Sequence, residues 1–276
     1  RDTDRSRGLG DVYKRQALLL ALNVCGQENV PAEKKVEKKV TSENHDADKV
    51  NFKVSADVVS SYIWRGAYNA GASIQPTLGM SAGNFSLTVW GSKEISDLHK
   101  EIDITATYRF GRVSVSVADY WWEGDKFWEK EDHSSAKYFN LDNHDTKHRL
   151  EAGISWTISE KFPLSVAWNT MFWGADKDTR DGKQNYSSYV ELNYPFTVRQ
   201  INLTVTLGFT PYESRNMYGT GGLDVCNIAL SAAKEIRISK RFSLPVFSRV
   251  VLNPAAQDAH AVSYTHLRAH ETDQYL

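Results

Sequence analysis

Apolar residues alternate with polar or small residues along most of the chain from Asn51 onward. The alternation is regular in several segments, of which Ile102–Phe110 and Ile201–Phe209 are the longest. A period of two residues places one kind of side chain on each face of an extended strand. Counting weaker segments, the pattern predicts eleven strands, which begin near residues 52, 74, 84, 101, 112, 148, 163, 186, 200, 225 and 241.

The connections between these strands alternate between two lengths. One set is short, as at Gly111 and 159–163, whereas the other is longer, with 122–147 and 174–185 charged and 211–223 rich in glycine. This order places the long loops at one end of an up-and-down sheet, as in outer-membrane barrels. We therefore predict an all-β fold, an up-and-down antiparallel transmembrane β-barrel of about twelve strands. A soluble β-barrel is the alternative.

Aromatic residues concentrate at both ends of the predicted strands. Because Trp and Tyr favour the interface between membrane and water, two aromatic belts are expected to flank an apolar band. The set at the long-loop end is Tyr62, Trp64, Trp121, Trp122, Phe172, Trp173, Phe209 and Tyr212. The set at the short-turn end is Phe52, Phe110, Trp156, Phe162, Tyr194, Phe196 and Phe242.

The two ends of the chain are related through the nucleotides that can encode them. Residues 11–16 can be encoded by a string whose reverse complement, in another frame, encodes residues 262–266. We interpret residues 1–16 and 262–276 as non-native sequence that resembles a translated sequencing adapter (a transposon end). The last native strand is then missing, and the alternating segment 261–267 is expected to pair beside strand eleven.

Two segments precede the predicted barrel. Residues 17–27 are an apolar run that ends in small residues, which is typical of a truncated signal peptide. A buried helix turn and a lipoprotein signal at Cys25 are the alternatives. Residues 28–50 are charged and nearly free of aromatic side chains, so we expect a flexible linker. The barrel domain is then residues 51–261.

Composition narrows the possible functions. The chain has 33 Lys and Arg against 34 Asp and Glu, so its net charge gives no reason to expect a nucleic acid partner. Its longest apolar run, Ala17–Leu22, is too short for a transmembrane helix. Two cysteines exclude a disulfide scaffold, and no Cys and His spacing suits structural zinc.

Charged residues on the polar phase of the strands define the candidate site. Because a charge on the lipid face costs about 2–4 kcal/mol near the middle of a bilayer, these residues are expected to face the lumen. They would either line a pore that selects solutes or form an ionic network that fills a non-conducting barrel. The ten residues are Lys53, Asp57, Arg65, Glu101, Asp103, Arg109, Arg149, Glu151, Glu191 and Arg249.

We expect no catalytic site, cofactor or metal. Residues 176–182 resemble a calcium loop, but the third acidic residue comes one position late. His144 and His148 would face the same ligand only on a helix, which the surrounding Asn and Asp residues disfavour. A hydrolase at the barrel rim would need a Ser next to a His, and Ser155 lies too far along the strand from His148.

The first predicted hairpin carries a family resemblance. The segment Ser55–Gly66, SADVVSSYIWRG, is followed by Gln75-Pro76. It resembles the first hairpin of the TorF-like porins, which have a similar Ser-x-Tyr-x-aromatic-Arg-Gly strand and a Pro-containing second strand. The resemblance implies an outer-membrane barrel of a Gram-negative bacterium and a pore, and it carries no catalytic residues to transfer.

The function expected from these features is passive transport of small polar solutes through an outer-membrane β-barrel. One alternative is a non-conducting structural or surface-adhesive barrel that displays the loops 122–147 and 174–185. A rim hydrolase is the third possibility, and we do not expect an enzyme. The expected partners are the lipid bilayer, lipopolysaccharide, the barrel-assembly machinery and small polar solutes, with no nucleic acid.

Overall fold

The computed structural model describes residues 50–96, 99–123, 137–239 and 243–268. The expectations for residues 1–16, 17–27 and 28–49 concern sequence outside this part of the chain, as do those for Phe242 and for residues 269–276. Within the described part, no helix combines the length and the apolar character needed to cross a membrane.

Fourteen β-strands and one helical turn, α1 (Arg215–Tyr218), form in the described residues. The strands are β1 (Asn51–Val59), β2 (Tyr62–Trp64), β3 (Ala67–Ala70), β4 (Ser73–Ala82), β5 (Phe85–Glu94), β6 (Lys100–Phe110), β7 (Val113–Glu123), β8 (His148–Thr157), β9 (Ser165–Gly174), β10 (Ser188–Val198), β11 (Ile201–Thr210), β12 (Asp224–Arg237), β13 (Ser243–Asn253) and β14 (Asp258–Arg268).

Twelve of these strands form one closed antiparallel barrel, which confirms the predicted fold class. Each barrel strand pairs with its neighbour along the chain, and β1 pairs with both β4 and β14 to close the sheet. Every predicted strand start lies within two residues of an observed one. The short turns, such as 111–112 and 199–200, lie at one end of the barrel, and the long connections lie at the other.

The closing strand, β14, includes residues 262–268, the first part of the segment predicted to be adapter-like. Its predicted pairing beside strand eleven is confirmed, since β14 pairs with β13 and also with β1 from Ser55 to Val59. Inside the barrel, Tyr264 stacks on Phe247 at 4.7 Å between ring centroids. His266 Nδ1 lies 2.6 Å from an Asp57 carboxylate oxygen. The adapter interpretation itself stays a prediction.

A chain that ends at Ala261 should fail to close. Removing residues 262–276 leaves the β1 backbone from Ser55 to Val59 without its β14 partner, and an unpaired backbone group costs several kcal/mol in an apolar medium. After refolding in detergent, the truncated chain should migrate identically on gels with and without heating. A chain that ends at Arg268 is the control and should show heat-modifiable mobility. Heat-modifiable mobility of the Ala261 chain would contradict this prediction.

The alternation along the strands produces an apolar outer wall and a polar inner wall. Small polar and charged side chains, among them Ser55, Glu101 and Asn169, are buried inside the barrel. Large apolar side chains on the opposite phase are exposed around the outer wall; they include Val54, Val58, Ile74, Leu78, Val115, Val117, Ile154, Trp168, Val205, Leu230 and Val250.

The two predicted aromatic belts differ in which of their side chains are exposed on the outer wall. At the short-turn end, the exposed rings of the predicted set are those of Phe52, Phe110, Trp156, Phe162 and Tyr194. At the long-loop end, Phe172 is exposed, but Tyr62, Trp64 and Trp122 are buried inside the barrel. The prediction of a loop-end belt is wrong for these three residues. Tyr62 and Trp64 lie in the segment after β1, which folds into the barrel. Trp122 lies on the inward-facing side of β7.

Candidate functional site

The connection between β1 and β4 folds into the barrel. Its two strands, β2 and β3, pair antiparallel on either side of Arg65 and Gly66, whose φ angles are 48° and 88°. Positive φ at both central residues is the geometry of a two-residue type I′ turn, which glycine adopts without strain. We call residues Tyr62–Ala70 the inner hairpin.

The tip of the inner hairpin touches β12 and β13, which lie three and two strands from β1 around the closed sheet. The Asn253 Nδ2 group of β13 donates a hydrogen bond to the Gly66 carbonyl oxygen at 3.2 Å. A Cβ atom placed on Gly66 would lie 1.9 Å from the Cys226 carbonyl oxygen of β12. Only glycine fits this contact, and the hairpin tip is therefore held against the inner face of β12 and β13.

Gly66→Ala should displace the inner hairpin from its contact with β12, since the added methyl group would overlap the Cys226 backbone. The Cys226 side chain is buried, with 1 % of its surface exposed. In a chain with Cys25→Ser, its thiol should therefore react slowly with a maleimide, and faster once Gly66→Ala is added. Gly83→Ala is the matched control, because Gly83 also has a positive φ but has no atom near the Cβ position. Equal thiol reactivity in the two variants would contradict the proposed contact.

Arg65 at the hairpin tip forms a bidentate ion pair with Glu151 of β8. The distances are 2.6 Å from Nη1 to Oε2 and 2.7 Å from Nη2 to Oε1. Arg65 Nη1 also donates to the Tyr218 hydroxyl oxygen at 2.6 Å, and the Tyr120 hydroxyl donates to Glu151 at 3.0 Å. Both charged side chains are almost completely buried. Each therefore depends on the other for compensation of its charge.

Aromatic rings surround this ion pair. The guanidinium carbon of Arg65 lies 4.8 Å from the centre of the Tyr189 ring. The Tyr218 ring, supplied by α1, stacks on Trp64 at 5.7 Å and on Tyr189 at 5.5 Å. The buried rings that meet inside the barrel are those of Tyr62, Trp64, Trp90, Tyr120, Trp122, Tyr189 and Tyr218. At this level the lumen is packed like a protein core.

Two acidic residues of β6 border the aromatic cluster. Glu101 accepts hydrogen bonds from Trp122 Nε1 at 2.6 Å and from the Tyr62 hydroxyl at 3.2 Å. Asp103 is 3 % exposed and lies in register between Trp90 and Tyr120. Within the described part of the chain, neither Asp103 carboxyl oxygen has a hydrogen-bond partner. Glu101 therefore fixes the inner hairpin to the wall, whereas Asp103 is enclosed without a donor.

The ten predicted lumen residues fall into two groups that differ in burial and in position along the barrel axis. Buried in the half nearer the long loops are Asp57, Arg65, Glu101, Asp103, Arg149 and Glu151. The others occupy the inward phase with greater exposure; they are Lys53, Arg109, Glu191 and Arg249. Lys53 and Arg109 lie close to the short turns. Acidic side chains therefore concentrate in the packed half of the lumen, while two basic side chains lie near its turn-end mouth.

Arg65 reaches the lumen by a route that the alternation did not predict. β1 ends at Val59, so Arg65 lies in the turn of the inner hairpin and not on the first barrel strand. Sequence reasoning also missed the contacts that Tyr120 and Tyr218 make inside the lumen, because it considered aromatic residues only as members of the outer belts. A signal was present at Tyr120, which shares the inward phase of β7 with other buried residues.

No described residues form a Ser–His pair of the kind that a rim hydrolase would need. Ser155 shares a hydrogen bond with Ser114 at 2.7 Å between the two hydroxyl oxygens. His148 Nδ1 lies 2.9 Å from both carboxylate oxygens of Asp119, and its Nε2 contacts the Tyr138 carbonyl oxygen. Both nitrogens of His148 therefore face acceptors. The described residues also contain no group of three or more His, Cys, Asp or Glu side chains arranged to hold a metal ion.

The loop that resembles a calcium site uses its acidic residues internally. Asp176 is buried and accepts hydrogen bonds from the Ser187 backbone N–H and hydroxyl, each at 2.8 Å, and burial raises the pKa of Asp176. Asp178 is partly exposed, and hydrogen bonds from Arg180 lower its pKa to about 2. These two carboxylates thus bind donors of the loop itself.

The comparisons with known proteins found similarity in three-dimensional structure and none in sequence. No family model and no curated protein sequence matches the chain. A solved structure of the KdgM porin in complex with disordered oligogalacturonate has a TM-score of 0.42 and 9 % identity, over 80 % of this chain and 99 % of that one. A variant of OccD1 (OprD) has a TM-score of 0.32 and 12 % identity, over 80 % and 64 %. BamA from Haemophilus ducreyi lacking POTRA domains 1–3 has a TM-score of 0.31 and 12 % identity, over 74 % and 41 %.

Proposed function

We propose that the protein is an outer-membrane β-barrel of the porin type in a Gram-negative bacterium, with small polar solutes as its cargo. The observation that carries this proposal is the distribution of polarity, with large apolar side chains on the outer wall and charged side chains inside. Soluble proteins rarely expose continuous apolar surface beyond a few hundred Å². A bilayer would cover the outer wall, and lipopolysaccharide would contact its long-loop end.

The turn-end half of the lumen supports entry of polar solutes. Hydroxyl groups can replace the hydrogen bonds that a polar solute makes with water. The hydroxyl groups on the inward phase of this half, together with Lys53 and Arg109, form a surface that is suited to polar solutes and weakly favourable to anions. The small and hydroxyl-bearing residues on the inward phase of this half include Thr105, Thr107, Ser116, Gly153 and Ser155.

The inner hairpin favours a second candidate function, a non-conducting structural or adhesive barrel. The Arg65–Glu151 pair and the surrounding rings leave almost no exposed surface at their level of the lumen. In this conformation the packed side chains of the described residues obstruct the lumen at this level. We therefore include closure by the inner hairpin in the proposed function, with solute passage only after the hairpin moves.

Membrane fractionation and planar-bilayer recording test the proposal. The full chain, delivered with a complete signal peptide and folded by the barrel-assembly machinery, should be recovered in the outer-membrane fraction. Purified protein should insert into planar bilayers and show only small or rare conductance steps. Recovery as a soluble periplasmic protein would contradict the membrane assignment. Large, steady conductance of the unchanged chain would contradict closure by the inner hairpin.

A further inference from the structure

The segment before β8 lies against the outer wall of the barrel. Its Tyr138 ring packs edge-on against Trp121 at 5.4 Å and against His148 at 5.1 Å. Trp121 of β7 and His148 of β8 are directly opposite in the register of the two strands. The next pair in this register, Tyr120 and Arg149, is buried inside the barrel, so Trp121 and His148 face outward. We call residues 137–147 the outer flap, because they cover this patch from outside.

The patch beneath the outer flap carries a histidine–carboxylate contact on the outer face of the barrel. The His148 ring contacts the Asp119 carboxylate, and the Tyr138 carbonyl oxygen contacts the other ring nitrogen. The His148 side chain is 3 % exposed and that of Asp119 is 26 % exposed. Charged groups facing hydrocarbon are costly, and so this pair needs a cover wherever the wall meets lipid.

The outer flap turns two large apolar side chains away from the protein. Phe139 is 89 % exposed and Leu141 is 65 % exposed. Their position is fixed by hydrogen bonds within the flap, in which the Thr146 hydroxyl donates to the Asn140 carbonyl oxygen at 2.7 Å. Asn143 Oδ1 also accepts from the Gly174 backbone N–H at 3.3 Å, which connects the flap to the end of β9. Exposure of these two side chains is thus part of an ordered arrangement.

The wall beside the outer flap is apolar and exposed. Ile102 of β6 pairs in register with Trp121, and Val117 precedes Asp119 on the same outer face of β7. Ile102 and Val117 are both among the exposed residues of the outer wall. Phe139 and Leu141 of the flap therefore add apolar surface beside the outer wall, near the place where that wall carries Asp119 and its histidine partner.

We propose that the outer flap binds the acyl chains of the surrounding membrane lipid, with Phe139 and Leu141 inserted among them. This proposal rests on the proposed function, since it requires the outer wall to be in a bilayer. The occupant is lipid because the exposed side chains adjoin a wall that the bilayer covers. Insertion would also hold the Tyr138 ring against His148, beside the Asp119 carboxylate.

Site-specific fluorescence can locate these residues. Single cysteines would replace Phe139, Leu141, His144 or Ile154 in a chain with Cys25→Ser, and each would carry a polarity-sensitive dye. The unsubstituted background should take up little dye, because Cys226 is buried. The proteins would be inserted into phosphatidylcholine vesicles containing lipid with a spin label on its acyl chain. His144, exposed in the same flap, is the matched polar control, and Ile154, exposed on the outer wall of β8, is the membrane control.

The expected result is quenching at residues 139 and 141 to about the extent seen at residue 154, with blue-shifted emission and little quenching at residue 144. Quenching at residue 154 without quenching at residues 139 and 141 would overturn the lipid-binding flap and leave the membrane assignment intact. It would also indicate that the side chains of Phe139 and Leu141 contact a protein partner or water. Absence of quenching at residue 154 in stably associated protein would overturn both proposals.

Discussion

Replacing residues 60–72 with an Asn-Gly turn should convert a nearly silent barrel into one with large and steady conductance. The replacement removes the whole inner hairpin with Arg65, and with it the contacts to Glu151 of β8 and to Asn253 of β13. Val59 and Ser73 are directly opposite in the β1–β4 register, so a two-residue type I′ turn can join them. Single-channel recording in planar bilayers measures the outcome.

The matched control shortens a loop that lies outside the lumen. Lys177 and Gln184 form an isolated antiparallel bridge, so residues 178–183 can be replaced by the same Asn-Gly turn. This variant should remain as silent as the unchanged chain. If the hairpin-free barrel shows heat-modifiable mobility and still does not conduct, the pore proposal is wrong and the non-conducting barrel is the better description.

Glu151→Ala should be strongly destabilising, by about 3–5 kcal/mol, which is the usual cost of removing one partner from a buried ion pair. Arg65 would keep its buried charge with only the Tyr218 hydroxyl and the neighbouring rings around it. The variant should unfold at lower urea concentration, and its inner hairpin should leave the lumen more often. Unfolding in urea followed by tryptophan fluorescence measures the first effect, and open probability in bilayers measures the second.

Two comparisons separate the ion pair from general packing. The double variant Arg65→Met with Glu151→Met should be much more stable than Glu151→Ala, because apolar side chains of similar size often replace a buried ion pair at little cost. Glu191→Gln should cost only about 1 kcal/mol, since the donors to Glu191, Tyr189 and Asn193, are both neutral and a Gln side chain keeps one acceptor oxygen. If the double variant is as unstable as Glu151→Ala, charge compensation is not what holds the inner hairpin.

The sequence by itself determined the barrel strands and their two faces. A strand has a period of two residues whatever surrounds it, so the alternation of Ile102–Phe110 predicts an apolar and a polar face from local information alone. The division into short turns and long loops also follows from counting residues between strands. These features place Glu101, Asp103 and Glu151 on the inward phase without any knowledge of their neighbours.

Only the tertiary structure decided what happens inside the lumen. The direction in which a loop folds depends on partners that are distant along the chain, and Arg65 meets Glu151 86 residues later. Gly66 meets Asn253 187 residues later. The same letters in SSYIWRG are compatible with a strand that continues upward and with a hairpin that folds inward. The choice between them is made by the buried ion pair and by the glycine contact with β12, which exist only when the barrel is closed.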